Sequence, residues 1–136
     1  MSKFDALTVS DKIAETKDSR SFLFDIPADL ETAYKYIPGQ YLTVEVNVNG
    51  EDLRRAYSLF TAPYENKFGF TVKSVDGGRV SNYLIDQVNK GDKLSIMTPD
   101  GKFIVDTDPK HKRDHYFFAG GSGVTPIRSM ILSILE

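Results

Sequence analysis

The chain has 136 residues, 40% hydrophobic and 26% charged, a composition that suits one globular domain with a real core. Seventeen basic against nineteen acidic residues leave a net charge of −2, which argues against a nucleic-acid binder. The absence of cysteine excludes disulfides, thiolate catalysis and cysteine-held metal, and no apolar run approaches the length of a membrane span. Met1-Ser2-Lys3-Phe4-Asp5 also lacks the hydrophobic stretch of a signal peptide, so the cytoplasm is the expected compartment.

In chain order, the first hundred residues read as strands. Phe22, Phe24 and Ile26 recur at every second position, and residues 28–36 suit a short helical turn before Pro38-Gly39. Leu42, Val44, Val46 and Val48 then alternate with Tyr41, Thr43, Glu45 and Asn47, the period of two of a half-buried strand. Asn49-Gly50 is a strong hairpin signal and returns the chain into a strand that carries Arg55 and Tyr57. Phe68, Phe70 and Val72 alternate next, followed later by Leu94 and Ile96. About six strands with turn residues between them predict a closed or nearly closed antiparallel barrel over residues 1–106.

A single helix is expected within the barrel. Val80, Tyr83, Leu84 and Val88 share one helical face, with Gly91 placed as a C-terminal cap. Residues 107–114 are polar, hold Pro109 and read as a linker. Residues 115–119 form a short apolar run without alternation, the pattern of a strand buried on both faces of a parallel sheet. Glycines follow, and then Ile127, Met130, Ile131 and Ile134 at helical spacing. Residues 115–136 therefore read as the first β-α unit of an α/β nucleotide-binding domain. Its four-residue apolar face is expected to be mobile, to pack back on the barrel or to pair with another copy, pairing being favoured at high concentration.

Three clusters carry chemistry. In Arg55-Ala56-Tyr57-Ser58-Leu59 the strand period lets Arg55 and Tyr57 share one face, while Ser58 points the other way or sits where the strand turns. Arginine presents a planar fork to a phosphate, tyrosine a flat surface to a ring system, and serine a hydroxyl to a ring nitrogen. A flavin is the leading fit, although ordinary strand sequence gives the same pentapeptide. Gly77-Gly78-Arg79-Val80-Ser81 lets backbone amides and the Ser81 hydroxyl meet a diphosphate at a helix start, or is simply a glycine turn and a cap. Gly120-Gly121-Ser122-Gly123-Val124-Thr125-Pro126 joins the last strand to the last helix, where doubly wound sheets bind nucleotides. It has neither G-x-G-x-x-G nor a P-loop lysine, and it equally suits a tight turn with Pro126 at the start of the helix. His111 lies among Lys110, Lys112 and Arg113, and with His115 alone it makes no metal site, so no metal is expected.

Taken together, these motifs resemble the ferredoxin–NAD(P)H reductase family. Pro38-Gly39-Gln40-Tyr41 is similar to its P-G-Q-[YF] lead-in to a strand, and residues 55–59 to R-x-Y-S-[LTI]. Val72-Lys73 with residues 77–84 is similar to its strand, glycine turn and G-x-x-S helix. Gly91-Asp92, Pro99, Gly101 and Phe103 match a further motif, and residues 117–126 are close to the nucleotide loop. The details lean towards reductases that serve bacterial oxygenases, such as the phenylacetyl-CoA epoxidase reductase type, and towards flavohaemoglobins.

The resemblance implies a six-stranded antiparallel Greek-key barrel that binds FAD, with one capping helix, followed by the start of an NAD(P)-binding domain. It implies that Arg55 binds the FAD diphosphate, Tyr57 lies against the flavin and Ser58 approaches flavin N5, with Tyr57 and Ser58 as the catalytic pair. Leu59, Val72, Lys73, Gly78, Arg79, Val80 and Ser81 would complete the cofactor site, with Gly120, Gly121 and Thr125 at the junction with the nicotinamide. The expected activity is hydride transfer from NAD(P)H to FAD and single-electron transfer to a ferredoxin-like or haem acceptor, performed by a longer reductase of which this chain is the flavin domain. The alternative is a non-catalytic barrel that binds a nucleotide or a protein.

Overall fold

The computed structural model describes residues 3–136. Six strands, β1 (Phe4–Thr16), β2 (Ser19–Asp25), β3 (Tyr41–Val48), β4 (Glu51–Ser58), β5 (Gly69–Lys73) and β6 (Lys93–Met97), form one sheet in the order β4-β3-β6-β1-β2-β5. Every pairing is antiparallel, and the order jumps between neighbours as a Greek key does. The two ends of the sheet meet at the Leu59–Phe70 bridge, where the Phe60 amide also donates to the Gly69 carbonyl at 3.3 Å. The barrel is thus nearly closed. Beyond that bridge the outer edges of β4 and β5 face each other without a ladder.

The alternating residues fill its interior. Phe22, Leu42, Val44, Phe70, Val72 and Ile96 are fully buried, as their period of two requires. Phe70 organises the aromatic layer, with Phe22, Phe24 and Tyr57 stacked around it at centroid distances of 5.7, 5.5 and 5.0 Å. Asn49 and Gly50 both adopt positive φ, 52° and 84°, the two-residue turn that matches strand twist. Sequence periodicity did not reveal β1, the longest strand. Only Leu7 and Val9 are fully buried in it, and irregularities at Val9/Asp11 and Ala14/Thr16 break its alternation.

Helix α1 (Arg79–Gln87) packs on β3, β4 and β5 and buries Val80 and Leu84. Its C-terminus departs from expectation. The helix ends at Gln87, and Gly91 lies in a later turn whose amide donates to the Val9 carbonyl. The last carbonyls are instead capped by Lys12 Nζ, which donates to Ile85 and Val88 at 2.6 Å each. A long cationic side chain from β1 replaces the glycine.

Residues 115–119 are not a strand, a second correction. Tyr116 and Phe118 are 81% and 92% exposed, and among the described residues no strand runs alongside to satisfy a parallel ladder. Helix α2 (Val124–Leu135) forms as its periodicity predicts and docks on the barrel through buried Ile127, Ser129 and Met130. Ser129 Oγ donates to the Thr61 carbonyl at 2.6 Å, and Arg128 Nη1 to the Phe60 carbonyl at 2.7 Å. Met130 lies against Gly39, where no side chain would fit beside the Phe103 carbonyl. Of the three fates open to this helix, packing back is the one observed. Ile131 and Leu135 remain exposed.

Candidate functional site

The gap between β4 and β5 collects most of the residues singled out by the sequence. In the β3–β4 register Arg55 lies opposite Val44 and Tyr57 opposite Leu42, so both point to the barrel side while Ser58, opposite Tyr41, takes the other face. The Tyr57 ring lies nearly parallel to Phe70, 12° apart, and is half-buried. Burial pushes the phenol above its ordinary pKa, and the positive charge of Arg55 only partly offsets this. Tyr57 is therefore a neutral, flat wall at working pH.

Arg54, Arg79, Arg113 and Arg128 each hold a carboxylate, whereas Arg20 and Arg55 bond only backbone carbonyls among the described residues. The Arg55 side chain is exposed and, among the described residues, donates only to the Arg54 carbonyl at 2.7 Å. Its guanidinium fork is left to bind an anion.

The turn before α1 follows β5 along the chain, and the helix it opens packs on β3, β4 and β5. Gly77 takes φ 70°, and Gly78 leads into the helix with no side-chain cap. A Cβ on Gly78 would lie 2.5 Å from Ser81 Oγ. Ser81 Oγ accepts from the Val75 amide at 3.3 Å, which leaves its own proton free to donate. The first-turn amides of α1 have no partner within the helix. Arg79 points its side chain across to Glu51 Oε2 at 2.8 Å, tying α1 to β4. Unpaired cation, hydroxyl proton and open amides together fit a diphosphate, and the Tyr57 wall fits a planar ring.

Other expected residues fall differently. Leu59 is fully buried and bridged to Phe70, so its side chain belongs to the core. The side chains of Val72 and Val80 are also buried, which leaves only their backbones for a ligand, whereas Lys73 is exposed on the β5 edge. Gly120 and Gly121 lie in an exposed turn, with Thr125 Oγ1 donating to the Ser122 carbonyl at 3.0 Å. No hydrogen bond among the described residues joins these three to Arg55, Tyr57 or Ser58. Sequence reasoning missed Ser74 and Asn82, whose side chains bond each other at 2.8 Å beneath the glycine turn. Their only signal was their position flanking the turn.

Residues 6–104 match the family model described as the oxidoreductase FAD-binding domain. The chain belongs to this family. Within the ferredoxin reductase-like group it is 34% identical, over all of its length, to a subunit of the 1,2-phenylacetyl-CoA epoxidase of Escherichia coli K12, covering 38% of that protein. It is 39% identical over 119 residues to the glycine betaine monooxygenase reductase subunit of Pseudomonas aeruginosa, covering 87% of this chain and 31% of that one. Among solved structures, phthalate dioxygenase reductase, described as modular for electron transfer from pyridine nucleotides to [2Fe-2S], superposes with a TM-score of 0.74 at 30% identity, over 94% of this chain and 38% of that one. The chain thus spans about a third of the length of these curated relatives. Among the described residues, no helix of this family member is long and apolar enough to cross a membrane, and no cluster of three or more metal-ligating side chains occurs.

Proposed function

We propose that the chain is the FAD-binding portion of an NAD(P)H-dependent electron-transfer reductase. Residues 1–106 form the flavin barrel, 107–114 the linker and 115–136 the start of an NAD(P)-binding domain. Bound FAD would supply the exchange between a two-electron hydride donor and a one-electron acceptor. The chain's own residues bind and orient it. Arg55 and the turn at residues 78–81 hold the diphosphate, the half-buried Tyr57 ring fixes the flavin plane, and Ser58 offers a hydroxyl at its reactive edge. The backbones of Leu59, Val72 and Lys73 line the gap. Gly120, Gly121 and Thr125 shape the nicotinamide side.

The observation that carries this reading is the guanidinium of Arg55, which holds no carboxylate among the described residues and lies on the β4 edge with Tyr57. The acceptor is an iron–sulfur or haem group, the kinds named for phthalate dioxygenase reductase and the flavohemoproteins among the relatives. The cytoplasm is the compartment this reading assigns. Self-association through α2 would rest on Ile131 and Leu135, and light scattering reads it directly. The central test is a flavin titration. FAD should bind more tightly than FMN, and equal affinities would remove the diphosphate assignment. Absence of any flavin binding would favour a barrel that serves only to bind another partner.

A further inference from the structure

The loop over residues 74–78 lacks an apolar anchor at its centre. Val75 is 59% exposed, and Asp76 and Gly77 are exposed as well. Hydrogen bonds to α1 hold it instead. Asn82 Oδ1 accepts from Ser74 Oγ at 2.8 Å, and Asn82 Nδ2 donates to the Val75 carbonyl at 3.1 Å. The same carbonyl accepts from the Gly78 amide at 2.8 Å, and the Val75 amide donates to Ser81 Oγ. The Ser74 amide donates to the Asp18 carbonyl at 2.7 Å, which pins the start of the loop to the β1–β2 turn. Asn82 therefore grips the loop at two successive residues. It lies one residue past Ser81, and both of its side-chain bonds run to residues that precede the glycine turn, while the amides of residues 79–81 open the helix.

We propose that Asn82 is a positioning residue for the diphosphate end of the cofactor site, with Ser74 as its partner. The proposal rests on the reading that residues 78–81 hold a diphosphate. Asn82 touches no ligand atom. It sets the Val75 carbonyl, which orients the Gly78 amide, and it steadies the Val75 amide, whose bond keeps the Ser81 lone pair occupied and its proton free to donate. A side chain that acts this way affects anion recognition and leaves the ring site untouched. Asn82 thus contributes to the preference for FAD over riboflavin, which presents the same ring without phosphate.

The test compares FAD and riboflavin binding to the full chain in wild type, Asn82→Ala, Asn82→Asp and Ser74→Ala, with thermal unfolding of each apo form alongside. Asn82→Ala removes two hydrogen bonds, so FAD affinity should fall roughly 5- to 50-fold while riboflavin affinity stays within about twofold. Asn82→Asp keeps the acceptor for Ser74 but loses the donor to Val75 and adds a negative charge near the anion, so its loss of FAD affinity should be at least as large as that of Asn82→Ala. Ser74→Ala removes the shared bond from the loop side, should give a smaller loss, and should add little on top of Asn82→Ala. It also carries the test if Asn82→Ala does not fold. Unchanged FAD affinity, or equal loss for FAD and riboflavin, overturns the proposal. Arg55→Ala serves as the control for the underlying reading. If that variant loses FAD selectively while Asn82→Ala and Ser74→Ala do not, the positioning role alone falls. If wild type does not prefer FAD to riboflavin, the diphosphate reading falls with it.

Discussion

Gly77 and Gly78 before α1 and the glycines at 120, 121 and 123 before α2 carry the same signal in the sequence, a flexible turn opening into a helix. The folded chain supports them very differently. The first turn is braced by Ser74, Ser81 and Asn82 and opens a helix that packs on the barrel wall. In the second, a Cβ on any of the three glycines would meet nothing within 4 Å, and the run at residues 115–119 that leads into it is not a strand. A glycine turn becomes a binding site only when its surroundings fix where the amides point. The barrel provides those surroundings within one domain. A parallel sheet provides them only once several strands lie side by side.

The largest expected effect tests the braced site directly. Arg55→Ala removes a charge-assisted contact worth about 1.5–3 kcal/mol, so FAD affinity should fall roughly 10- to 150-fold in a fluorescence titration. Arg54 serves as the control, because it already holds Glu45 at 2.6 Å. If Arg54→Ala weakens FAD as much as Arg55→Ala, the distinction between paired and unpaired arginines fails.

The two turns can then be set against each other by the same substitution. Gly78→Ala places a methyl 2.5 Å from Ser81 Oγ and 3.0 Å from Val75, so something must shift. Crowding of this kind costs about 1–3 kcal/mol, and both apo stability and FAD affinity should drop. Gly120→Ala, at φ −124° with open space around it, should change neither. Chemical denaturation and flavin titration of the pair read the contrast. Equal responses would mean that the two turns are equivalent after all.

How much of this was legible beforehand depends on the kind of interaction. Period-two residues such as Leu42, Val44, Phe70 and Ile96 announced their burial because strand geometry is local. The alternation of Arg55, Tyr57 and Ser58 was legible for the same reason. β1 was not, because its bulges erase the period. Neither was the Lys12 cap on α1, which links positions 73 and 76 residues apart and replaces the expected glycine. The run at residues 115–119 shows the converse error. Its composition describes a strand, but ladder partners make a strand, and composition says nothing about whether they are present.

A smaller effect concerns Ser58, at the far end of the same strand. A neutral hydrogen bond contributes about 0.5–1.5 kcal/mol, so Ser58→Ala should retain FAD within roughly tenfold of wild type. The flavin absorption band should shift more than the affinity does if, as proposed, the hydroxyl meets the ring rather than the phosphates. A loss as large as that of Arg55→Ala would mean that Ser58 anchors the cofactor and that the division of labour along β4 is wrong.

The smallest expected effect separates the helices that follow the two turns. α2 is tied to the barrel partly by Arg128, which meets Glu65 Oε2 at 3.3 Å and stacks over the Phe60 ring at 5.3 Å. Burial alone would raise the Glu65 carboxyl, but the Ala62 amide at 2.7 Å and the Arg128 guanidinium outweigh it and hold the carboxyl below its ordinary value of 4.5. A depressed carboxylate stabilises the folded form above its unfolded pKa and loses that contribution as pH falls through the folded value. Docking of α2 should therefore be intact above pH 4.5 and should weaken progressively below it. The pair is partly exposed, so the change is only about 0.2–1 kcal/mol and shrinks in high salt. Among the described residues no salt bridge holds the C-terminal end of α1, where the Lys12 ammonium is bound by backbone carbonyls that do not titrate and feels Asp86 and Asp92 only at longer range. Amide protection in residues 124–135, corrected for intrinsic exchange rates, should fall on acidification while that in residues 79–87 holds. Glu65→Gln should show the weaker docking already at neutral pH and lose the dependence. Parallel loss of protection in both helices would show that acid loosens the barrel as a whole and that Glu65 has no separate role.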